Sequence, residues 1–172
     1  QKDLIRLAGD PLYPVIVRST ALSLLALYPG EQASRAYERA LMDDEALIRR
    51  TAVDHINVSD PKRQTAILTS MLYDPVKSVR IEAARRMTEL ADPPLDDAQK
   101  LVFQSSLDEY QKSMEYSADF AFGRYNLANL YVALKKPQKA VESYQAAINI
   151  DKLFYQAKVN LAMLYNQTGK MI

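Results

Sequence analysis

The chain has 172 residues, and its 22 basic and 21 acidic side chains leave a net charge of +1. Proteins that bind nucleic acid normally carry an excess of basic residues, so this balance argues against nucleic acid as a partner. The sequence contains no cysteine and a single histidine, His55, which leaves little material for thiolate, metal or acid–base chemistry. We therefore predict that the chain is not an enzyme and has no cofactor.

The composition also predicts the class of fold. There are only four glycines, no alternating strand pattern is visible, and the prolines lie mostly at helix starts or in loops, as in the turn Asp10-Pro11 and the helix start Asp60-Pro61. No run approaches the roughly 20 apolar residues needed to cross a bilayer, so we expect no membrane insertion. The sequence begins at Gln1, without methionine, and we expect it to be part of a longer protein. These features predict an all-α protein.

Residues 1–91 show a period of 31 residues. In the clearest copy, Asp74 and Pro75 are predicted to be the cap and first residue of a helix, followed by the apolar stripe Val79, Ala83 and Met87. The same frame occurs earlier as Asp43, Ile48, Ala52 and Ile56, and earlier still as Val17, Ala21 and Leu25. A fixed period of this length is typical of stacked helical hairpins that bury their apolar faces on their neighbours. We predict three such units.

Each unit also carries an arginine at the same position, namely Arg18, Arg49 and Arg80. One interpretation is a row of cations that binds an anion or another ligand. The other, which we favour, is a ladder in which each arginine reaches an aspartate or a carbonyl of the adjoining unit. The first unit departs from the pattern, because Leu12 stands where aspartate is expected and Asp10 lies two residues earlier.

This Asp…Val-Arg-x-x-Ala-x-x-x-Leu pattern resembles the HEAT repeat, and its 31-residue period resembles the short bacterial variant of that repeat. The resemblance implies an α-solenoid of short helical hairpins. The prolines at 93 and 94 cannot continue a helix, so residues 92–97 are predicted to form a joint that ends this region.

After the joint the period changes to 34 residues, with Leu127, Ala128 and Tyr131 recurring as Leu161, Ala162 and Tyr165. Together with Ala140, Tyr144 and Ala147, these small alanines and large tyrosines fall at spacings that resemble the tetratricopeptide (TPR) repeat. Residues 98–172 would then hold one half unit, one full repeat at 121–154 and one truncated repeat. We expect the truncated repeat to leave Leu161, Leu164 and Tyr165 exposed and to favour self-association.

In the proteins that this second region resembles, the first helix of each repeat lines a concave groove that binds a peptide. The resemblance places ten residues in that groove: Phe122, Tyr125, Asn126, Asn129, Ala133, Gln156, Val159, Asn160, Met163 and Asn166. Asn126 and Asn160 are 34 residues apart, so we expect both amides to face the groove and to bind a peptide backbone. The predicted function is a non-catalytic scaffold that binds a peptide or a partner domain.

An alternative comes from the order of the two repeat types, which resembles the C-terminal region of bacterial multihaem c-type cytochromes. That resemblance implies a structural or docking arm of a periplasmic electron-transfer protein whose haem domain lies outside this chain. The protein would be periplasmic in that case and cytoplasmic otherwise.

Overall fold

A computed structural model describes residues 1–90 and 93–169. These residues contain ten helices and no strand, so the prediction of an all-α fold is confirmed. The chain divides into two compact units, Gln1–Ser106 and Leu107–Ile172, with the division inside the seventh helix. Asp92, the first residue of the predicted proline-rich joint, lies outside the described residues, as does Ala91 before it.

The first unit consists of three helical hairpins and the beginning of a long helix. The helices are α1 (Lys2–Gly9), α2 (Val15–Leu25), α3 (Glu31–Ala40), α4 (Ala46–His55), α5 (Pro61–Met71), α6 (Lys77–Met87) and α7 (Asp97–Tyr116). Helices α2, α4 and α6 pack side by side as an inner row, and α1, α3 and α5 each pack against their partner in that row. This stacking of successive hairpins is the arrangement of an α-solenoid.

The 31-residue period corresponds to the packing of the inner row. Ala21, Ala52 and Ala83 are all buried, and their small side chains allow neighbouring helices to approach closely. Val17 is an exception, because it is 39% exposed whereas its equivalent Ile48 is fully buried. The reason is positional: α4 follows another inner helix, while α2 is the first helix of the described row.

The predicted helix caps are correct in one case and wrong in two. Asp60 caps α5, since its carboxylate accepts a hydrogen bond from the backbone N–H of Lys62 and Pro61 is the first helical residue. Asp43 and Asp74 lie three residues before α4 and α6, and their carboxylates accept the N–H of the residue two positions on. They form Asx turns ahead of the helices instead, and each carboxylate also binds an arginine of the preceding hairpin.

The second unit contains the rest of α7 together with α8 (Ala121–Ala133), α9 (Pro137–Ile150) and α10 (Tyr155–Gln167). Helices α8 and α9 form a closely packed hairpin, and α10 packs against α9. The residues of the 34-residue pattern fill this hairpin, and the buried set is Leu127, Ala128, Tyr131, Ala140, Tyr144 and Ala147. The pattern therefore identifies the core of this unit correctly.

The expected exposure of α10 is wrong in part. Leu164 is buried, and Leu161 and Tyr165 are half-buried. The packing of α10 against α9 covers these side chains, and Gln145 on α9 donates a hydrogen bond of 3.1 Å to the Tyr165 hydroxyl. The large apolar side chains that α10 exposes are Tyr155, Val159 and Met163.

Candidate functional site

The arginine row is the first candidate site, and at Arg18 and Arg49 the structure shows the predicted ladder between consecutive units. Arg49 donates from Nε to Asp74 Oδ2 at 2.7 Å and from Nη2 to Asp74 Oδ1 at 3.0 Å. Its Nη1 donates to the backbone carbonyls of Asp43 and Asp44 at 2.8 and 2.9 Å. All three nitrogens of the guanidinium group are thus occupied by acceptors of the protein, as the ladder interpretation predicted.

The other two arginines make related contacts. Arg18 forms an ion pair with Asp43, and its Nε donates to the carbonyl of Ala8 at 3.1 Å. Arg80 donates from Nη1 to the carbonyls of Asp74 and Pro75 at 2.9 and 3.1 Å, six and five residues before it. Arg18 is buried, and Arg49 and Arg80 are half-buried. Guanidinium groups that are already hydrogen-bonded to the protein in this way are poorly placed to bind a ligand. The ladder interpretation is therefore the better one.

The electrostatics of Asp74 agree with a structural role. Burial on its own would raise the pKa of this carboxyl, but the hydrogen bonds from Arg49 and from the backbone N–H of Val76 outweigh burial. The pKa of Asp74 consequently lies below its ordinary value of 3.8, so the ion pair is complete at neutral pH.

The second candidate site is the set of ten residues predicted to line a groove, which we call the α8–α10 face. Its members on α8 are Phe122, Tyr125, Asn126, Asn129 and Ala133, and its members on α10 are Gln156, Val159, Asn160, Met163 and Asn166. The structure brings the two helices together at this face, since Asn160 on α10 is hydrogen-bonded to Tyr125 and Asn129 on α8.

A network of four polar side chains joins the helices under this face. Asn160 Nδ2 lies 3.1 Å from Asn129 Oδ1, 3.3 Å from the Tyr125 hydroxyl and 3.4 Å from the Tyr144 hydroxyl. The Tyr144 hydroxyl, on α9, donates to Asn129 Oδ1 at 2.5 Å. Burial raises the pKa of Tyr144, so its hydroxyl keeps the proton that it donates. Three helices are thereby fixed relative to one another.

Aromatic rings extend the same network. The Tyr125 ring meets the Phe154 ring edge-on, with 5.2 Å between centroids, and lies 6.1 Å from the Tyr144 ring and 6.5 Å from the Phe122 ring. Such tilted and edge-to-face pairs add stability beyond the burial of area. Tyr125, Asn129 and Asn160 therefore support the face from within, although the sequence suggested that they were free for a ligand.

The remaining members of the face are available at its surface. Phe122 is 64% exposed, and Val159 and Met163 are each 56% exposed. Asn126 is half-buried, and its side chain makes no hydrogen bond within the part of the chain that the structure describes. Ala133, Gln156 and Asn166 are exposed. The face thus offers one half-buried amide, that of Asn126, without a hydrogen bond in the described structure, beside several apolar side chains.

Sequence reasoning missed two members of this arrangement, Tyr144 and Phe154. The 34-residue pattern predicts only a packing role for Tyr144, but its hydroxyl also takes part in the polar network, with Asn129 and Asn160. Phe154 lies in the turn before α10, and its ring meets the Tyr125 ring edge-on. The sequence signal that could have indicated this network is the Tyr144 hydroxyl, because the hydroxyl of a buried tyrosine requires a hydrogen-bond partner. The nearest amides are those of Asn129 and Asn160.

The first unit has an open groove of about 870 Å³ that sequence analysis did not predict. Leu25, Ala33 and Tyr37 line it together with His55, whose ring lies 6.2 Å from that of Tyr37. Its charged lining residues include Glu38 and Arg63, which are paired with each other. His55 therefore contributes to the wall of a groove, and Asp54 is the acidic side chain beside it, 3.8 Å away.

Residues 1–90 and 93–169 contain no group of three or more histidine, aspartate or glutamate side chains arranged to hold a metal ion. Within the same ranges, no helix has both the length and the apolar character required to span a membrane.

No protein-family model and no curated protein matches this chain. Its class is thus defined by its architecture, an all-helical protein of the α-solenoid type. The resemblance of its two periods to HEAT and TPR repeats, and of the whole to multihaem cytochromes, stays a prediction.

Proposed function

We propose that this chain is a non-catalytic scaffold that binds a polypeptide segment on the α8–α10 face. The proposal rests on one observation, that some side chains of this face are held by internal contacts while others are exposed to solvent. Tyr125, Asn129 and Asn160 are fixed by hydrogen bonds and ring contacts, while Phe122, Val159 and Met163 are exposed above them. A rigid support beneath adaptable apolar side chains reduces the entropy lost on binding.

The chemistry of the exposed side chains suits a peptide. Peptides carry backbone N–H and C=O groups that need partners, and the unpaired amide of Asn126 can both donate and accept a hydrogen bond. Met163 and Phe122 supply apolar contact that adapts to different side chains. Because the face spans only two helices, the interface is small and the affinity should be on the order of micromolar.

The test is selection of short random peptides, displayed on phage, against the full chain, followed by NMR mapping of each selected peptide on the ¹⁵N-labelled protein. We expect shifts concentrated at α8 and α10 and a loss of affinity of about tenfold in Asn126→Ala and in Met163→Ala. The matched controls are Gln138→Ala, an exposed amide on α9, and Met42→Ala, an exposed methionine of the first unit. Selected peptides that bind equally well to all four variants would refute the proposal.

The alternative function, a docking arm of a periplasmic multihaem cytochrome, stays a prediction drawn from the order of the repeats. No observation on the described residues favours it over the scaffold.

A further inference from the structure

The α8–α10 face contains no charged residue. Its ten members are four asparagines, one glutamine and five apolar or aromatic residues. In a chain with 43 charged residues, counting 22 basic and 21 acidic, a neutral surface that spans two helices requires an explanation. What this neutrality implies for a bound segment rests on the function proposed above.

The charged residues of the two helices are directed elsewhere. The only charged residue of α8 is Arg124. Its Nε donates to the carbonyl of Ala118 at 2.9 Å, and its side chain lines a different groove with Glu115 and Glu142. The only charged residue of α10 is Lys158, whose Nζ lies 5.3 Å above the centre of the Tyr155 ring. Both cations are therefore engaged with other groups, and neither helix contains an acidic residue.

A neutral face selects against charge in whatever covers it. A charged side chain placed there would lose its water without gaining a counter-ion, and that loss is costly. The backbone groups and apolar side chains of a bound polypeptide meet no such penalty. Asn126 can form hydrogen bonds with the backbone groups, and Val159 and Met163 can pack against the apolar side chains. Val159 and Met163 are four residues apart on α10, so their side chains lie next to each other along the helix.

We infer that the ligand of the α8–α10 face is a polypeptide segment whose contacting residues are apolar and uncharged. Its side chains pack on Val159, Met163 and Phe122, and its backbone pairs with the amide of Asn126. Neither a terminal carboxylate nor an acidic or basic motif of the ligand contributes to binding. Two consequences distinguish such a ligand: its affinity is nearly independent of salt, and charge of either sign on the face weakens it.

The experiment uses the full chain and the peptides selected on it as described above, with two oppositely charged substitutions at one position. In Val159→Glu and Val159→Lys the affinity should fall in both variants, by about tenfold. The wild-type affinity should change less than about twofold between about 0.05 M and about 0.5 M NaCl. Val159 is exposed, so both variants should fold, which circular dichroism checks; Met163→Glu and Met163→Lys give a second pair. Met42→Glu and Met42→Lys in the first unit are the matched controls and should bind normally.

The outcomes separate this inference from the function on which it rests. Stronger binding in one member of a charged pair, or an affinity that falls steeply with salt, would overturn the inference and leave peptide binding in place. Selected peptides that are insensitive to every substitution on the face would overturn both. Sedimentation of the unliganded chain provides a further check, because a dimer abolished by Val159→Glu would make a second copy of the chain the occupant and overturn the inference.

Discussion

Arg49 and Asp74, which are 25 residues apart in the sequence, form a bidentate ion pair between consecutive hairpins. The remaining nitrogen of Arg49 binds the carbonyls of the loop before its own helix, and the carboxylate of Asp74 accepts the N–H of Val76 in the next loop. One pair of side chains thus fixes two loops and the junction between them. Arg18 and Asp43 have the same relationship one unit earlier.

We expect Arg49→Ala to lower the free energy of unfolding by about 3 kcal/mol, because it leaves the Asp74 carboxylate buried without its counter-ion. The Arg49 side chain is only 12% exposed and that of Asp74 only 4%, so water cannot replace the lost contacts. Urea denaturation followed by circular dichroism measures the effect.

The matched control is Arg35→Ala, which removes an arginine paired with Glu31 on the surface of α3. Both side chains of that pair are largely exposed, so the expected change is within about 0.5 kcal/mol. Equal effects of the two substitutions would contradict the structural role of the ladder.

The ion pair also predicts a dependence of stability on pH. Because the folded protein holds the pKa of Asp74 below 3.8, the ionised carboxylate stabilises the fold fully above that value. This contribution is lost as the pH falls through the lowered pKa, so the free energy of unfolding should decline below about pH 4. In Asp74→Asn the decline should be smaller. Acid titration of the urea midpoint tests this, and superimposable wild-type and Asp74→Asn profiles would show that Asp74 makes no such contribution.

Gly123 is required where the turn after α7 approaches α8. A Cβ atom at this position would lie 2.0 Å from the Ser117 carbonyl oxygen, which is backbone and cannot rotate away. Although alanine favours helices, Gly123→Ala should lower the free energy of unfolding by about 1–3 kcal/mol. Gly9→Ala is the control, since a Cβ there would meet nothing within 4 Å, and it should be neutral or stabilising by up to about 1 kcal/mol. A thermal melt in which Gly123→Ala is as stable as Gly9→Ala would contradict this packing.

Asn126 and Asn160 occupy the same position of the 34-residue period but should respond differently to substitution by alanine. Asn160→Ala removes the amide that joins Tyr125, Asn129 and Tyr144, and should lower the free energy of unfolding by about 1–2 kcal/mol. Asn126→Ala removes a side chain without hydrogen bonds in the described structure, and should change stability by less than about 0.5 kcal/mol. Denaturation of the two variants side by side checks the contrast, and equal losses would show that the network does not stabilise the unit.

The sequence was sufficient to predict packing that repeats. The buried alanines Ala21, Ala52 and Ala83 follow the period of 31, and the positions of the arginines indicated a ladder. These features are predictable because a repeated junction imposes the same steric and electrostatic demand on each unit.

Contacts that differ between similar sequence patterns were not predictable. Asp60 and Asp74 both precede a proline, but Asp60 caps its helix whereas Asp74 lies three residues before α6 and binds Arg49 of the preceding hairpin. Likewise Asn160 is bonded and Asn126 is not, because the Tyr125 and Asn129 side chains lie beside α10. A periodic pattern gives the position of a side chain on its helix, but its partner comes from tertiary structure.

The ladder has a consequence for how such a chain can change over generations. Each junction takes its arginine from one unit and its aspartate from the next, 25 residues later. Deleting residues 44–74, one period of 31, would remove Arg49 and Asp74 together and keep Arg18 with Asp43. Arg80 would then follow Asp43 at the same spacing of six residues that now separates it from Asp74. Whole units can therefore be lost or duplicated in the gene without leaving a charge of the ladder unpaired, whereas a deletion that removes Arg49 but keeps Asp74 would break their pair.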